Sequence, residues 1–153
     1  MQTHPQTAAV VKASDGRLLN VLGHSVTIKL AHAETSGHYY LFSLSTPPGL
    51  GIPPHVHDRE DELIHVVEGE FLITLGDRQF TAGPGDEVFF PRHVPHAFQN
   101  VGSRAGKTIW TVVPGGNFEE FFERLAALPP GPPDLHKVAG IFSAYGMTIV
   151  APK

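Results

Sequence analysis

Apolar and polar positions alternate along most of this chain in short bursts, and the period is two residues, that of a strand. Tyr40, Phe42 and Leu44 alternate with Tyr39, Leu41 and Ser43, and Ile64 and Val66 flank His65. Successive strand side chains point to opposite faces. Bursts of this kind predict strands over 18–22, 26–30, 39–45, 62–67, 71–75, 79–81, 88–90, 96–100 and 107–113. Turn signals separate them: Glu68-Gly69-Glu70, a two-residue Gly76-Asp77 hairpin, and Ala82-Gly83-Pro84-Gly85-Asp86. Many short strands at this spacing predict an all-β sandwich or barrel over residues 17–113, preceded by a loosely held lead-in at 1–16.

The period changes after residue 113. Asn117 can cap a helix, with Glu120 three residues later in a capping-box pattern. Phe118, Phe121, Phe122 and Leu125 then recur at one helical face. Pro129-Pro130-Gly131-Pro132-Pro133 stops that helix, and Asp134 can cap a second one carrying Leu135, Val138, Ile141 and Phe142 and ending near Gly146. Residues 114–153 therefore read as two short helices within the same domain, packed on the outside of the β structure because their apolar faces need burial.

Composition narrows the class. A chain of 153 residues, 41% hydrophobic and 17% charged, suits one globular domain with a sizeable core. No cysteine is present, which removes disulfides, thiolate catalysis and cysteine zinc sites together. A net charge of −4 and the lack of any basic run argue against a nucleic-acid partner. No apolar run is long enough for a membrane span, and the start Met1-Gln2-Thr3-His4-Pro5 lacks a signal pattern, so a cytoplasmic protein is expected.

The candidate chemistry lies in Gly49-Leu50-Gly51-Ile52-Pro53-Pro54-His55-Val56-His57. On an extended strand the two imidazoles face the same way, and two histidines with a carboxylate can hold a divalent transition metal on one side. Glu62 follows at an odd step from His57, which uninterrupted strand would place on the opposite face. The polar Asp58-Arg59-Glu60-Asp61 reads as a turn or bulge that resets the facing, and Glu60 is a rival carboxylate. A further histidine, His96, lies downstream in the run from Gly85 to Asn100.

These segments resemble the two signature motifs of the cupins, small jelly-roll β-barrel proteins. Gly49, His55, His57, Glu62 and Gly69 meet the first motif position by position. Gly85, Pro91, His96 and Asn100 meet the second, but His93 stands where its middle glycine is usual. Histidine tolerates positive φ better than most residues, so the turn is expected to survive. The resemblance implies an all-β, cupin-type jelly-roll β-barrel with the two helices outside. It also implies one divalent metal ion (Fe, Mn, Ni, Co, Cu or Zn) held by His55, His57, Glu62 and His96. Asn100 reads as a structural turn residue, His93 as a loop or pore-rim residue, and His65 as pointing away from the metal. His4, His24, His32, His38 and His136 read as surface or interface residues.

Phe98 shares the parity of His96, and Ile64 and Val66 that of Glu62, which predicts an apolar substrate pocket around the metal. The overall pattern, including Pro114 to Phe122, is similar to single-domain cupins related to quercetin 2,3-dioxygenase. That implies a metal-dependent dioxygenase acting with dioxygen on a flavonol-like or other aromatic, enolisable small molecule, with Glu62 as ligand and proton acceptor through a raised pKa. Two alternatives use the same residues: a metal-assisted isomerase, cyclase or lyase acting on a small carbonyl compound, and a non-catalytic small-molecule-binding module. A homodimer is expected, since open β edges need covering.

Overall fold

The computed structural model describes residues 8–151, so the lead-in and the C-terminal tail are covered in part, and His4 lies outside the described residues. Residues 8–16 form no strand. Lys29 Nζ donates to the carbonyls of Lys12 and Ala13, each at 3.1 Å, and to that of Asp15, and so ties this segment down.

Among the described residues, eleven strands and three helices follow. They are β1 (Arg17–Val21), β2 (His24–Leu30), α1 (His32–Thr35), β3 (Tyr40–Thr46), β4 (Gly51–His57), β5 (Asp61–Glu68), β6 (Phe71–Leu75), β7 (Arg78–Ala82), β8 (Glu87–Phe90), β9 (His96–Asn100), β10 (Gly106–Val113), α2 (Phe118–Ala126), α3 (Leu135–Ala144) and β11 (Met147–Ile149). They form two antiparallel sheets, ordered β1-β2-β3-β10-β5-β8 and β11-β4-β9-β6-β7. The inward residues of both sheets form the core. On β3 the inward face is Tyr40, Phe42 and Leu44, which the alternation alone left open. The Gly76-Asp77 hairpin forms as expected, with Leu75 opposite Arg78.

Two features of β4 set up the site. Gly51 runs so close to β9 that a Cβ there would sit 2.1 Å from the Phe98 carbonyl oxygen, so only glycine fits. Beyond it the register slips: Ile52 faces Phe98, yet His55 faces His96. Three steps on β4 match two on β9, the signature of a bulge. Pro53 and Pro54 occupy it, where their missing N–H groups cost no ladder bond.

The helices form as predicted, with one difference at a cap. Asp134 Oδ1 accepts from His136 N and Lys137 N at 3.0 and 3.3 Å. Asn117 makes no side-chain cap bond, because its ψ of 28° is not the extended conformation that capping requires. Phe118, Phe121, Phe122 and Leu125 of α2 and Val138, Ile141 and Phe142 of α3 are buried, each contributing roughly 1.5–3 kcal/mol of transfer free energy. Leu135, read as part of that face, is exposed at the first turn. Both faces pack on the β structure, and α2 presents four side chains to an interior cavity. No helix among the described residues is long and apolar enough to cross a membrane. Short α1 and β11 carry no sequence signal of their own. β11 pairs with β4, placing Met147 opposite His57 and Ile149 opposite His55.

Candidate metal centre

His55, His57, Glu62 and His96 converge. One ligand atom from each lies within 4.8 Å of all the others, and all four side chains are buried. His55 and His57 share one face of β4. The chain bends at Asp58 and Arg59, and β5 restarts at Asp61, so Glu62 faces inward despite its odd step. His96 comes from β9. Separations of 3.1 Å (His55 Nε2 to His57 Nε2), 3.0 Å (His96 Nε2 to Glu62 Oε2) and 3.4 Å (His57 Nε2 to Glu62 Oε2) define the group.

The donor chemistry fits a metal ion. His55 Nδ1 lies 2.9 Å from the Pro53 carbonyl, His96 Nδ1 lies 3.3 Å from the Val94 carbonyl, and His57 Nδ1 lies 3.1 Å from Glu60 Oε2. All three partners are acceptors, which places a hydrogen on each Nδ1 and turns each Nε2 inward; a metal ion would take the place of the proton that His96 Nε2 shares with Glu62 in the metal-free protein. Two lone pairs 3.1 Å apart repel unless a cation lies between them. Donors about 2.1 Å from one ion, at right angles, stand about 3 Å apart, which is the spacing found.

Electrostatics agree. Burial, helped by His96 and His57, pushes the His55 pKa down to about 3, so the ring is neutral. Burial pushes the His57 pKa down, but the Glu62 carboxylate and then Glu60 outweigh it, leaving a raised value. Burial alone would push the Glu62 pKa up. His57, then the hydrogen bond from His96, overcome this and draw it to about 2. The expectation of a raised Glu62 pKa is therefore corrected: the imidazoles outweigh desolvation, and the residue is held as a carboxylate, the form a ligand needs.

The loop before His96 is anchored on both neighbouring strands. His93 adopts φ 67°, as its place in the motif demands, and its N–H donates to the His57 carbonyl at 2.8 Å. Its side chain is exposed, apart from the four-residue group and outside the cavity lining. Arg92 donates from N and Nε to Asp61 Oδ1 at 2.9 and 3.1 Å and from Nη2 to Asp61 Oδ2 at 3.1 Å. That bidentate pair fixes the strand start that carries Glu62. Asn100 is a buried turn clamp, donating to the Thr46 and Arg104 carbonyls and accepting from Gly102 N. His65 points outward and pairs with Glu87.

A cavity of about 60 Å³ opens beside the group. Phe98 lines it, with Phe42, Trp110 and the phenylalanines of α2. Ile64 and Val66 do not. Their parity is right and both are buried, but Ile64 lies opposite Trp110 in the sheet, and it is the larger indole that borders the space. Sequence reasoning also placed His24 at the surface. It is 1% exposed, borders the cavity, contacts Thr46 Oγ1 at 3.1 Å, and burial lowers its pKa to about 4. The signal was present: His24 alternates with Val26 and Ile28 on the inward face of β2. Glu60, weighed as a rival ligand, is instead the hydrogen-bond partner of His57. Phenyl rings sheathe the imidazoles: Phe90 stacks on His96 at 4.3 Å, Phe118 on His57 at 6.1 Å, and Phe142 meets His55 edge-on at 5.5 Å.

Residues 42–112 match the family model described as the cupin domain. That match covers a little under half of the chain; together with the two sheets and the fold likenesses that follow, it supports a cupin-type fold, in which the four buried donors form a group that could hold a metal ion. The particular likenesses are spread across several kinds of protein. KdgF from Halomonas sp. superposes with a TM-score of 0.64 at 21% identity, over 71% of this chain and 94% of that one. The polyketide cyclase RemF from Streptomyces resistomycificus gives 0.60 at 23%, over 70% and 80%. A predicted oxalate decarboxylase from Thermotoga maritima gives 0.63 at 18%, over 69% and 98%. At these identities the likeness is one of fold. A curated protein of Methanocaldococcus jannaschii is 33% identical over 49 residues, which span 32% of this chain and 39% of that protein.

Proposed function

We propose that this chain is a metal-dependent enzyme that binds a small, mainly apolar molecule through an enol or phenol oxygen, and that its reaction is an oxygenation. The observation that carries the reading is the donor arrangement: three inward Nε2 atoms and one ionised carboxylate, bordered by a cavity with no lysine or arginine among its described lining residues. His55, His57, Glu62 and His96 hold the ion, with iron, manganese, nickel, cobalt, copper and zinc all compatible with this set. When bound, such an ion supplies Lewis acidity toward the substrate oxygen and, in the oxygenase reading, the electronic partner for dioxygen.

The chain's own contributions follow from the geometry. Glu60 and the Pro53 and Val94 carbonyls keep the imidazoles aimed. Glu62, with a pKa near 2, serves to hold the ion and is a weak base on its own. Phe98, Trp110 and the α2 phenylalanines exclude water and favour a flat apolar ligand. The fold likeness to the Streptomyces polyketide cyclase supports a second reading, isomerisation or cyclisation at the same site without dioxygen. As to assembly, β8 is an edge strand on which exposed Phe89 pairs with exposed Leu63, and covering that edge supports a homodimer, checked by sedimentation.

Metal analysis of purified protein is the first test, and about one divalent transition ion per chain is expected. Failure to retain or take up any such ion would sink the enzymatic reading. Oxygen consumption with flavonols and smaller enols then separates the two chemistries: turnover without oxygen uptake selects the isomerase or cyclase.

A further inference from the structure

A cavity of about 60 Å³ holds a few water molecules, whereas sites for organic ligands run to roughly 300–1,000 Å³. The metal-dependent reading therefore needs a wall that yields. The β wall cannot, since its side chains are fixed by strand pairing and by hydrogen bonds to each imidazole. The opposite wall is α2, which offers Phe118, Phe121, Phe122 and Leu125 and makes only apolar contacts with the space.

Three observations single out α2. Tyr40 Oη, packed beneath Phe118 and Phe122, is buried without a hydrogen-bond partner, the only such side-chain atom among the described residues. Closure of the helix thus leaves a polar group unsatisfied that opening would hydrate. On its outer side α2 is held to β1 by Arg17 with Glu119 and Glu123, ion pairs exposed to solvent and therefore weak. At its start, Gly115 N–H donates to the Gly37 carbonyl at 2.9 Å, and Gly116, at φ 47°, adds only a long 3.5 Å contact to the same oxygen, so the backbone just before α2 is held at a single acceptor. At its end the chain runs through Pro129-Pro130-Gly131-Pro132-Pro133.

We propose that α2 is a hinged wall: the substrate displaces its phenylalanine face to reach the metal centre, and that face then closes on the bound molecule and limits its size. The ligand's apolar surface takes over the contacts that opening breaks. The proposal rests on the metal-dependent reading, but its test does not use turnover.

Amide hydrogen exchange is measured on metal-loaded and on chelator-treated protein. Amides of α2 should exchange at least tenfold faster than those of β10 at the centre of its sheet, because α2 opens below global unfolding. Tyr40→Phe removes the unsatisfied hydroxyl and keeps the ring, so α2 exchange should slow about tenfold while β10 is unchanged. With 2-naphthol as probe and Trp110, the single tryptophan, as reporter, wild-type association should level off with concentration, limited by opening. Phe122→Ala should raise that limit at least tenfold. Protection of α2 equal to that of β10 and indifferent to Tyr40→Phe overturns the proposal, as does a failure of Phe122→Ala to bind the probe. A protein that shows these effects yet takes up no metal keeps the hinge and loses the enzymatic reading.

Discussion

The cavity has two walls of opposite construction. The β wall carries all four metal-binding candidates, and each imidazole there is aimed by a specific acceptor: Pro53, Glu60 or Val94. The helical wall carries Phe118, Phe121, Phe122 and Phe142; Phe118 lies face-on to His57 and Phe142 edge-on to His55, while Phe121 and Phe122 line the cavity between them. Hydrogen bonds fix direction, and ring packing fixes only distance and volume. The first wall can define a coordination geometry, and the second can define what fits beside it. The proposed function divides along that line: chemistry on one side, selection on the other.

Five tests, built on six substitutions, probe this division. His96→Ala should weaken divalent metal binding by well over 100-fold, read by metal content after dialysis, since it removes a donor and not merely a donor's support. Phe118→Ala should leave metal stoichiometry intact yet cost about 3–5 kcal/mol in urea unfolding; loss of metal there would show that the walls are not separable. The third test is pH dependence. His24 has a folded pKa near 4 against 6.5 unfolded. As pH falls below 6.5 the unfolded chain binds a proton that the folded chain refuses, so stability drops down to about pH 4 and then levels. The loss is about 3 kcal/mol, added to that from His55 in the same direction down to about pH 3. His24→Gln should flatten the unfolding free energy of metal-free protein over that window, whereas Phe118→Ala should lower the curve without changing its slope. Glu60→Ala should weaken metal binding roughly 10–100-fold by releasing His57, which competition with a chelator would read. The smallest effect concerns the caps: Asp134→Ala should cost about 1 kcal/mol and Asn117→Ala almost nothing, because only Asp134 bonds its helix.

The β wall was largely legible in the sequence. The i, i+2 spacing of His55 and His57 and the polar run before Glu62 specify a shared face and a reset, and the structure shows both. Positive φ at His93 was also foreseeable from its place in the motif. Less visible was anything depending on contacts between distant segments. Glu60 reads as one carboxylate among several until folding brings its oxygen to His57. The Arg92–Asp61 pair joins residues 31 apart. His24, expected among the surface or interface histidines, is buried instead, on the strand face it shares with Val26 and Ile28. The helical wall was legible as an apolar stripe but not as a cavity lining, since periodicity says that a face is buried and not against what.

The strand β11 has a consequence for how the protein is made. It closes the free side of β4, joining Met147 to His57, 90 positions earlier. Contacts of such long sequence separation form late in folding. During synthesis the strand bearing two of the four donors therefore waits as an uncovered edge while the remaining strands and both long helices emerge. All four candidate donors precede β11 in the chain, so the site's residues are made before the strand that covers its flank, and the edge of β4 stays open to mispairing in the interval.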